Sequence, residues 1–249
     1  MSTTQACVLA AGKGTRMGGD RPKVLFEAAG KPLIEWVLSA LSEAGVNDVV
    51  VVVGFKKDDV VAKLPTDVRW AEQSPQLGTG HAVRCARNSF PNHAENIIVT
   101  YGDMPLVTAD TYAKLVGLRE QADADGIVLT VPIDPDSRFG RIVRDKRGGV
   151  ARIVEYKDAS DEERNIREGN AGVYCFKPGV LWDCVERLKN DNAQNEYYLT
   201  DVVPLIIGGG GKMLAHVSGI EGEDLGVNTP DDLELAGRAL AKRCEQGGA

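Results

Sequence analysis

The chain alternates short apolar runs with amphipathic stretches along most of its length. Residues 5–10 form an apolar run that predicts a buried strand. Residues 32–44 carry Leu33, Ile34, Val37, Leu38 and Leu41 at helical spacing. Pro32 stands near the start of that helix, where a missing N–H costs nothing. The run DVVVVVG at 48–54 is apolar almost without interruption, as in a strand covered on both faces of a parallel sheet. The same rhythm predicts a short helix over 57–63, a strand near 68–72 and a helix over 79–89 starting at Thr79. It then predicts a strand over 96–103, a helix over 108–122 with Thr108 as N-cap, and a strand over 126–133.

After residue 133 the pattern changes. Residues 140–158 read as an antiparallel hairpin turning on glycines, and NAGVYCF at 170–176 as a strand. Helices are expected over 178–189 and 197–207, a strand over 212–217 and a final helix over 230–243. The GGGG run at 208–211 fits a helix end and turn. These elements predict an α/β fold with a doubly wound, Rossmann-like mixed sheet. No internal repeat or linker divides the chain, so one domain over 1–249 is expected, with a larger lobe from about 1–133 plus 212–249 and a smaller one from about 134–211.

Composition narrows the partners. The formal net charge is −7 over 249 residues, which argues against a nucleic-acid surface. Anionic ligands therefore need a local positive patch, and Lys13, Arg16, Arg21, Lys23 and Lys31 supply one against Asp20 and Glu27. Cys7, Cys85, Cys175, Cys184 and Cys244 form no CxxC pair, and with no secretory leader they read as free thiols of a cytoplasmic protein. No apolar run approaches the roughly 20 residues of a membrane span, so no membrane partner is expected.

The candidate chemistry begins where the first strand ends. LAAGKGTRMGGDRPK at 9–23 interleaves glycines with cations, a composition that closes backbone N–H groups around phosphate and neutralises it. The spacing is not GxxxxGK[ST], and Gly12, Gly14 and Gly18 make GxGxxxG, one residue longer than the dinucleotide fingerprint. Further along stand QLGTGHA (76–82), YGDMPL (101–106), FGRI (139–142), EYKDA (155–159), NAG (170–172), NEYYLTD (195–201) and GVNTPDDL (226–233).

In this order the motifs resemble those of the sugar-1-phosphate nucleotidyltransferases, and most of all the uridylyltransferase domain of bifunctional bacterial N-acetylglucosamine-1-phosphate uridylyltransferases. The similarity covers nearly the whole chain. It implies a nucleotide-diphospho-sugar transferase fold, with a nucleotide-binding larger lobe and a sugar-side smaller one. It also implies UTP and N-acetylglucosamine 1-phosphate as substrates, UDP-N-acetylglucosamine (a cell-wall precursor) and pyrophosphate as products, and Mg²⁺ as cofactor. In such a reaction a sugar phosphate oxygen, already an anion, attacks the α-phosphorus, so positioning and charge neutralisation replace a general base.

The resemblance assigns residues. The nucleotide is expected at Leu9, Ala10, Ala11, Gly12, Gly14, Gln73, Gly78 and Thr79, with the last three reading uracil. Arg16 is expected to clamp triphosphate oxygens with its guanidinium fork, and Lys23, stiffened by Pro22, to stabilise charge near the α-phosphate or the incoming sugar phosphate. Asp103 ends a strand at its carboxyl edge; a carboxylate facing a triphosphate makes sense as a magnesium ligand, and the family pattern adds Asn228. Asn-Thr-Pro-Asp at 228–231 is also ordinary turn and N-cap chemistry, and the two roles are compatible. Tyr101, Gly140, Glu155, Asn170 and Thr200 are expected at the sugar. His81, beside the uracil residues, reads as a packed, hydrogen-bonded histidine.

Two departures fall near the sugar residues. Ala171 stands where the bifunctional enzymes usually have Thr, and Phe139 where they usually have Tyr, each removing a hydroxyl. The sequence stops at Ala249 with no hexapeptide-repeat β-helix, so no acetyltransferase activity is expected from it. A nucleotidyltransferase acting on another sugar 1-phosphate or NTP, and a nucleotide-sugar-binding regulator without turnover, are the alternatives. The intact set Arg16, Lys23, Asp103 and Asn228 argues against the regulator.

Overall fold

A computed structural model describes residues 3–18, 20–91 and 93–246. Eleven strands and eight helices follow in chain order among them. They are β1 (Thr4–Ala10), β2 (Glu27–Ala28), β3 (Lys31–Pro32), α1 (Leu33–Glu43), β4 (Asp48–Val53), α2 (Lys57–Val61), β5 (Arg69–Glu72), α3 (Thr79–Ala86), β6 (Asn96–Tyr101) and α4 (Ala109–Gln121). Then come β7 (Gly126–Pro132), β8 (Arg141–Arg144), β9 (Val150–Val154), α5 (Asp161–Arg164), β10 (Glu168–Phe176), α6 (Pro178–Glu186), α7 (Val202–Gly208), β11 (Met213–Val217) and α8 (Pro230–Glu245).

The main sheet runs β11-β7-β10-β6-β1-β4-β5, with β8 and β9 extending from β10. β1 is parallel to β4 and β6, whereas β10 is antiparallel to both its neighbours. The sheet is therefore mixed, as expected. Alternate residues of β1 enter different cores. Cys7 and Leu9 pack with α3, α6 and α7 on one face. Ala6, Val8 and Ala10 pack with α1, α2 and α4 on the other. Burial on both faces explains why β4 reads as an unbroken valine run.

Chain order along the sheet positions the site. After β1 the chain moves outward to β4 and β5, then returns to β6 on the opposite side of β1. That reversal opens a crevice beyond the carboxyl ends of β1 and β6, where the glycine loop and Asp103 begin. α8 and the first turns of α1 close a third cluster beside it, built on Leu33, Trp36, Val227 and Leu240.

Several expected boundaries shift. The helix expected over 79–89 ends at Ala86 and tightens into a 3₁₀ turn over Arg87–Ser89. The helix expected from 197 starts at Val202, after a 3₁₀ turn over Leu199–Asp201. Tyr197 is held in a loop because its N–H donates to Leu77 O at 2.8 Å and its carbonyl accepts from Gly80 N at 2.7 Å. β2, β3 and α5 had no counterpart in the hydropathy pattern. β10 belongs to the centre of the sheet, between β6 and β7, so the stretch 134–211 is tied to the main sheet through it.

Candidate active site

A cavity of about 1080 Å³ lies in the crevice. Its wall begins with the main chain after β1. Gly102 N donates to Leu9 O at 2.9 Å, Phe55 N donates to Ala11 O at 3.1 Å, and the Gln76 amide also donates to Ala11 O. Leu9, Ala10, Ala11, Gly12 and Gly14 thus line the cavity as a fixed edge. Gly14 has φ +62°, and a Cβ there would meet Lys23 Cβ at 2.6 Å. Glycine is what lets the loop lie against the lysine stem.

Lys23 is the hub of the charged end. Its ammonium pairs with Asp103 and donates to Asn228 Oδ1 at 3.0 Å, while Arg16 donates to the same oxygen at 2.9 Å. The two partners are brought together by backbone: Val227 N donates to Asp103 O at 2.9 Å. Asn228 is fixed in turn, since its Nδ2 donates to Gly226 O at 2.8 Å and its N–H to Asp232 at 2.9 Å. Asp232 also closes the capping box of α8 with Thr229. Asn228 therefore faces the cavity because the helix behind it starts where it does.

The second wall carries amides and hydroxyls. Gln73 follows β5 and is 5% exposed. Thr79 accepts from Leu199 N at 2.9 Å. Burial pushes the Tyr101 phenol above its ordinary range. Gly172 has φ +81°, and a Cβ there would strike the Tyr101 ring at 2.7 Å. That glycine sits where the β10–β7 register shifts between Asn170 and Tyr174. The shift lets Asn170 accept from Gly172 N at 2.9 Å and donate to the Tyr174 hydroxyl at 2.7 Å.

Glu155, half-buried, accepts from Thr200 at 3.1 Å. Burial raises its carboxyl above the ordinary range, against the lowering effect of the Thr200 hydroxyl. Tyr101, Gly140, Glu155 and Asn170 reach the cavity wall, as do Gln73, Gly78, Thr79, Arg16, Lys23, Asp103 and Asn228. Thr200 does not; it is 4% exposed and stands behind Glu155.

Sequence reasoning did not single out Arg138, Glu196 or Asp224, which also line the cavity. Arg138 precedes the FGRI motif by one residue, and Glu196 lies inside NEYYLTD, so proximity to motifs was their only signal. The loop bearing Arg138 and Phe139 is held from within: the buried Arg141 guanidinium donates to Pro135 O at 2.8 Å, Ser137 O at 2.7 Å and Phe139 O. Among the described residues the five cysteines are unpaired, and no helix is long and apolar enough to cross a membrane.

Residues 6–196 match the MobA-like NTP transferase domain. The chain belongs to that family. The transferase domain is 45% identical over 243 residues to the bifunctional protein GlmU of Heliobacterium modesticaldum, covering 98% of this chain and 53% of that protein. It is 43% identical over 247 residues to the bifunctional protein GlmU of Brevibacillus brevis, covering 99% and 54%. The domain thus spans about half the length of the curated relatives it matches. Its fold matches a crystal structure of UDP-glucose pyrophosphorylase complexed with UDP-glucose, with a TM-score of 0.80 at 18% identity over 96% of this chain and 99% of that one. The resemblance carried by the ordered motifs is borne out.

Proposed function

We propose that the chain is a sugar-1-phosphate nucleotidyltransferase that makes UDP-N-acetylglucosamine and pyrophosphate from UTP and N-acetylglucosamine 1-phosphate in the cytoplasm. The observation that carries this reading is the cluster Arg16–Asn228–Lys23–Asp103, which opens onto the same cavity as Gln73, Glu155 and Asn170. One cavity thus offers cations, amides and a carboxylate that suit phosphates, a base and a sugar.

In the reaction, a phosphate oxygen of the sugar 1-phosphate bonds to the α-phosphorus of UTP. The bond from that phosphorus to the β-phosphate breaks, and its electron pair leaves with pyrophosphate. The attacking oxygen is already an anion, so no proton is removed. Lys23 and Arg16 neutralise the charge that crowds around the phosphates. The nitrogens of Lys23 and Arg16 converge on Asn228 Oδ1, so one side of the site presents two cations at once. Gln73, Gly78 and Thr79 hold the base, and Tyr101, Gly140, Glu155 and Asn170 hold the sugar, with Thr200 orienting Glu155.

Asp103 and Asn228 suit magnesium. Both offer hard oxygen donors, and both already share one cation, the Lys23 ammonium. Magnesium held by these two oxygens would supply further charge neutralisation at the phosphates.

A pyrophosphate-release assay over the four NTPs and several sugar 1-phosphates, with magnesium, tests the reading. It predicts turnover that is fastest for UTP with N-acetylglucosamine 1-phosphate. Binding of UDP-sugars without turnover of any pair would replace it with a regulator.

A further inference from the structure

The direction in which the Gln73 amide points decides which base it reads, and the Gly78 carbonyl and a neighbouring histidine together hold that direction. One end of the amide lies 2.8 Å from Gly78 O. A carbonyl only accepts, so the group facing it is the NH₂. The same nitrogen lies 3.2 Å from His81 Nδ1. Both amide hydrogens are thus committed, Nδ1 is the acceptor, and the ring proton sits on Nε2, facing Cys85 Sγ at 3.6 Å. The amide oxygen has no protein partner among the described residues, in a side chain that lines the cavity.

We propose that His81 is a positioning residue that strengthens base preference by locking, together with Gly78 O, the Gln73 oxygen toward the cavity. The inference rests on the uridylyl-transfer reading above. An acceptor facing the base selects a ring that presents an N–H donor. Uracil has that donor at N3; cytosine has a lone pair there, and two acceptors repel. His81 is therefore part of the discrimination between UTP and CTP without touching either.

The surroundings of His81 keep it in the required form. Arg84 and Cys85 flank it on its own helix, Tyr197 faces it from the loop before α7 with ring centroids 6.3 Å apart, and Gln73 faces it from the end of β5. Burial, and then the Arg84 charge, hold the imidazole neutral below its ordinary titration range. When His81 does protonate, Nδ1 becomes a donor and confronts the amide NH₂. The lock then opens.

The test is the ratio of kcat/KM for UTP over CTP, with N-acetylglucosamine 1-phosphate as acceptor, because titrations common to both nucleotides cancel in it. His81→Phe, which has no acceptor, should lower the ratio by about tenfold. His81→Asn, whose carbonyl can accept from the amide, should hold it within about threefold of wild type. Thermal melting accompanies each variant. In the wild type the ratio should be flat near neutrality and fall in acid more than it does in His81→Asn, which has no imidazole to protonate. A folded His81→Phe with the wild-type ratio overturns the proposal, as does equal loss in both variants. Should His81→Phe not fold, a folded His81→Asn that loses the ratio about tenfold overturns it. A wild type indifferent to UTP and CTP overturns the functional reading and the role of His81 together.

Discussion

Lys23 touches oxygens from distant parts of the chain, Asp103 after β6 and Asn228 before α8, and holds them around one positive charge. Glu155 shows the opposite economy: a carboxyl kept where burial disfavours its charge. Its folded-state pKa is raised, so its ionisation weakens the fold as pH rises through the carboxylate range, and the penalty vanishes below the ordinary value. Glu155→Gln should therefore melt at a higher temperature than wild type at neutral pH and level with it in acid, while its KM for the sugar phosphate rises. Melting curves across pH and steady-state kinetics check both halves. At this scale much was legible, because Arg16, Lys23 and Asp103 lie in motifs whose chemistry is in the residue types. The place of Thr200 behind Glu155, and the bond from His81 to Gln73, depend on how separate loops pack and leave no trace in spacing.

Among the elements, the segment 218–228 decides where Asn228 stands. Glu223, 1% exposed, pins it to the start of α4. Its carboxylate accepts from Thr108 N at 3.0 Å, from the Thr108 and Thr111 hydroxyls at 2.9 and 2.6 Å, and from Ser218 at 2.6 Å. Glu223→Ala removes the buried acceptor of these hydrogen bonds and should cost about 2–4 kcal/mol in urea unfolding. The same variant should raise the magnesium concentration needed for half-maximal turnover, because the segment leading into Asn228 is loosened from α4. The long helices and apolar strands were legible because each buries a periodic face. β2 and β3 were not, being two residues each around a turn with Ala29 and Gly30 at positive φ. α5 is a single turn whose Ser160–Glu163 capping box was its only signature. β10 read correctly as a strand, yet its central place between β6 and β7 depends on pairings that no local pattern encodes.

On the scale of the whole molecule, the reversal of strand order around β1 gathers residues 9–23, 73–79, 101–103, 155, 170 and 228 at one crevice. The ordered motifs made much of that gathering legible, since most fall at element ends, whereas NAG at 170–172 lies inside β10 where its register shifts. Among the described residues, no group of three or more His, Cys, Asp or Glu side chains could hold a metal. Magnesium alone should therefore leave the melting temperature unchanged, whereas magnesium with UTP should raise it, since phosphate oxygens complete the coordination. A rise with magnesium alone would point to a preformed metal site elsewhere. The most direct measurement of the central claim is phosphorus NMR of UTP and N-acetylglucosamine 1-phosphate incubated with the protein and magnesium. The account predicts UDP-N-acetylglucosamine and pyrophosphate appearing in equal amounts with wild type and not with Asp103→Ala. Absence of the diphosphate diester with wild type, or its formation at the same rate by folded Asp103→Ala, would contradict it.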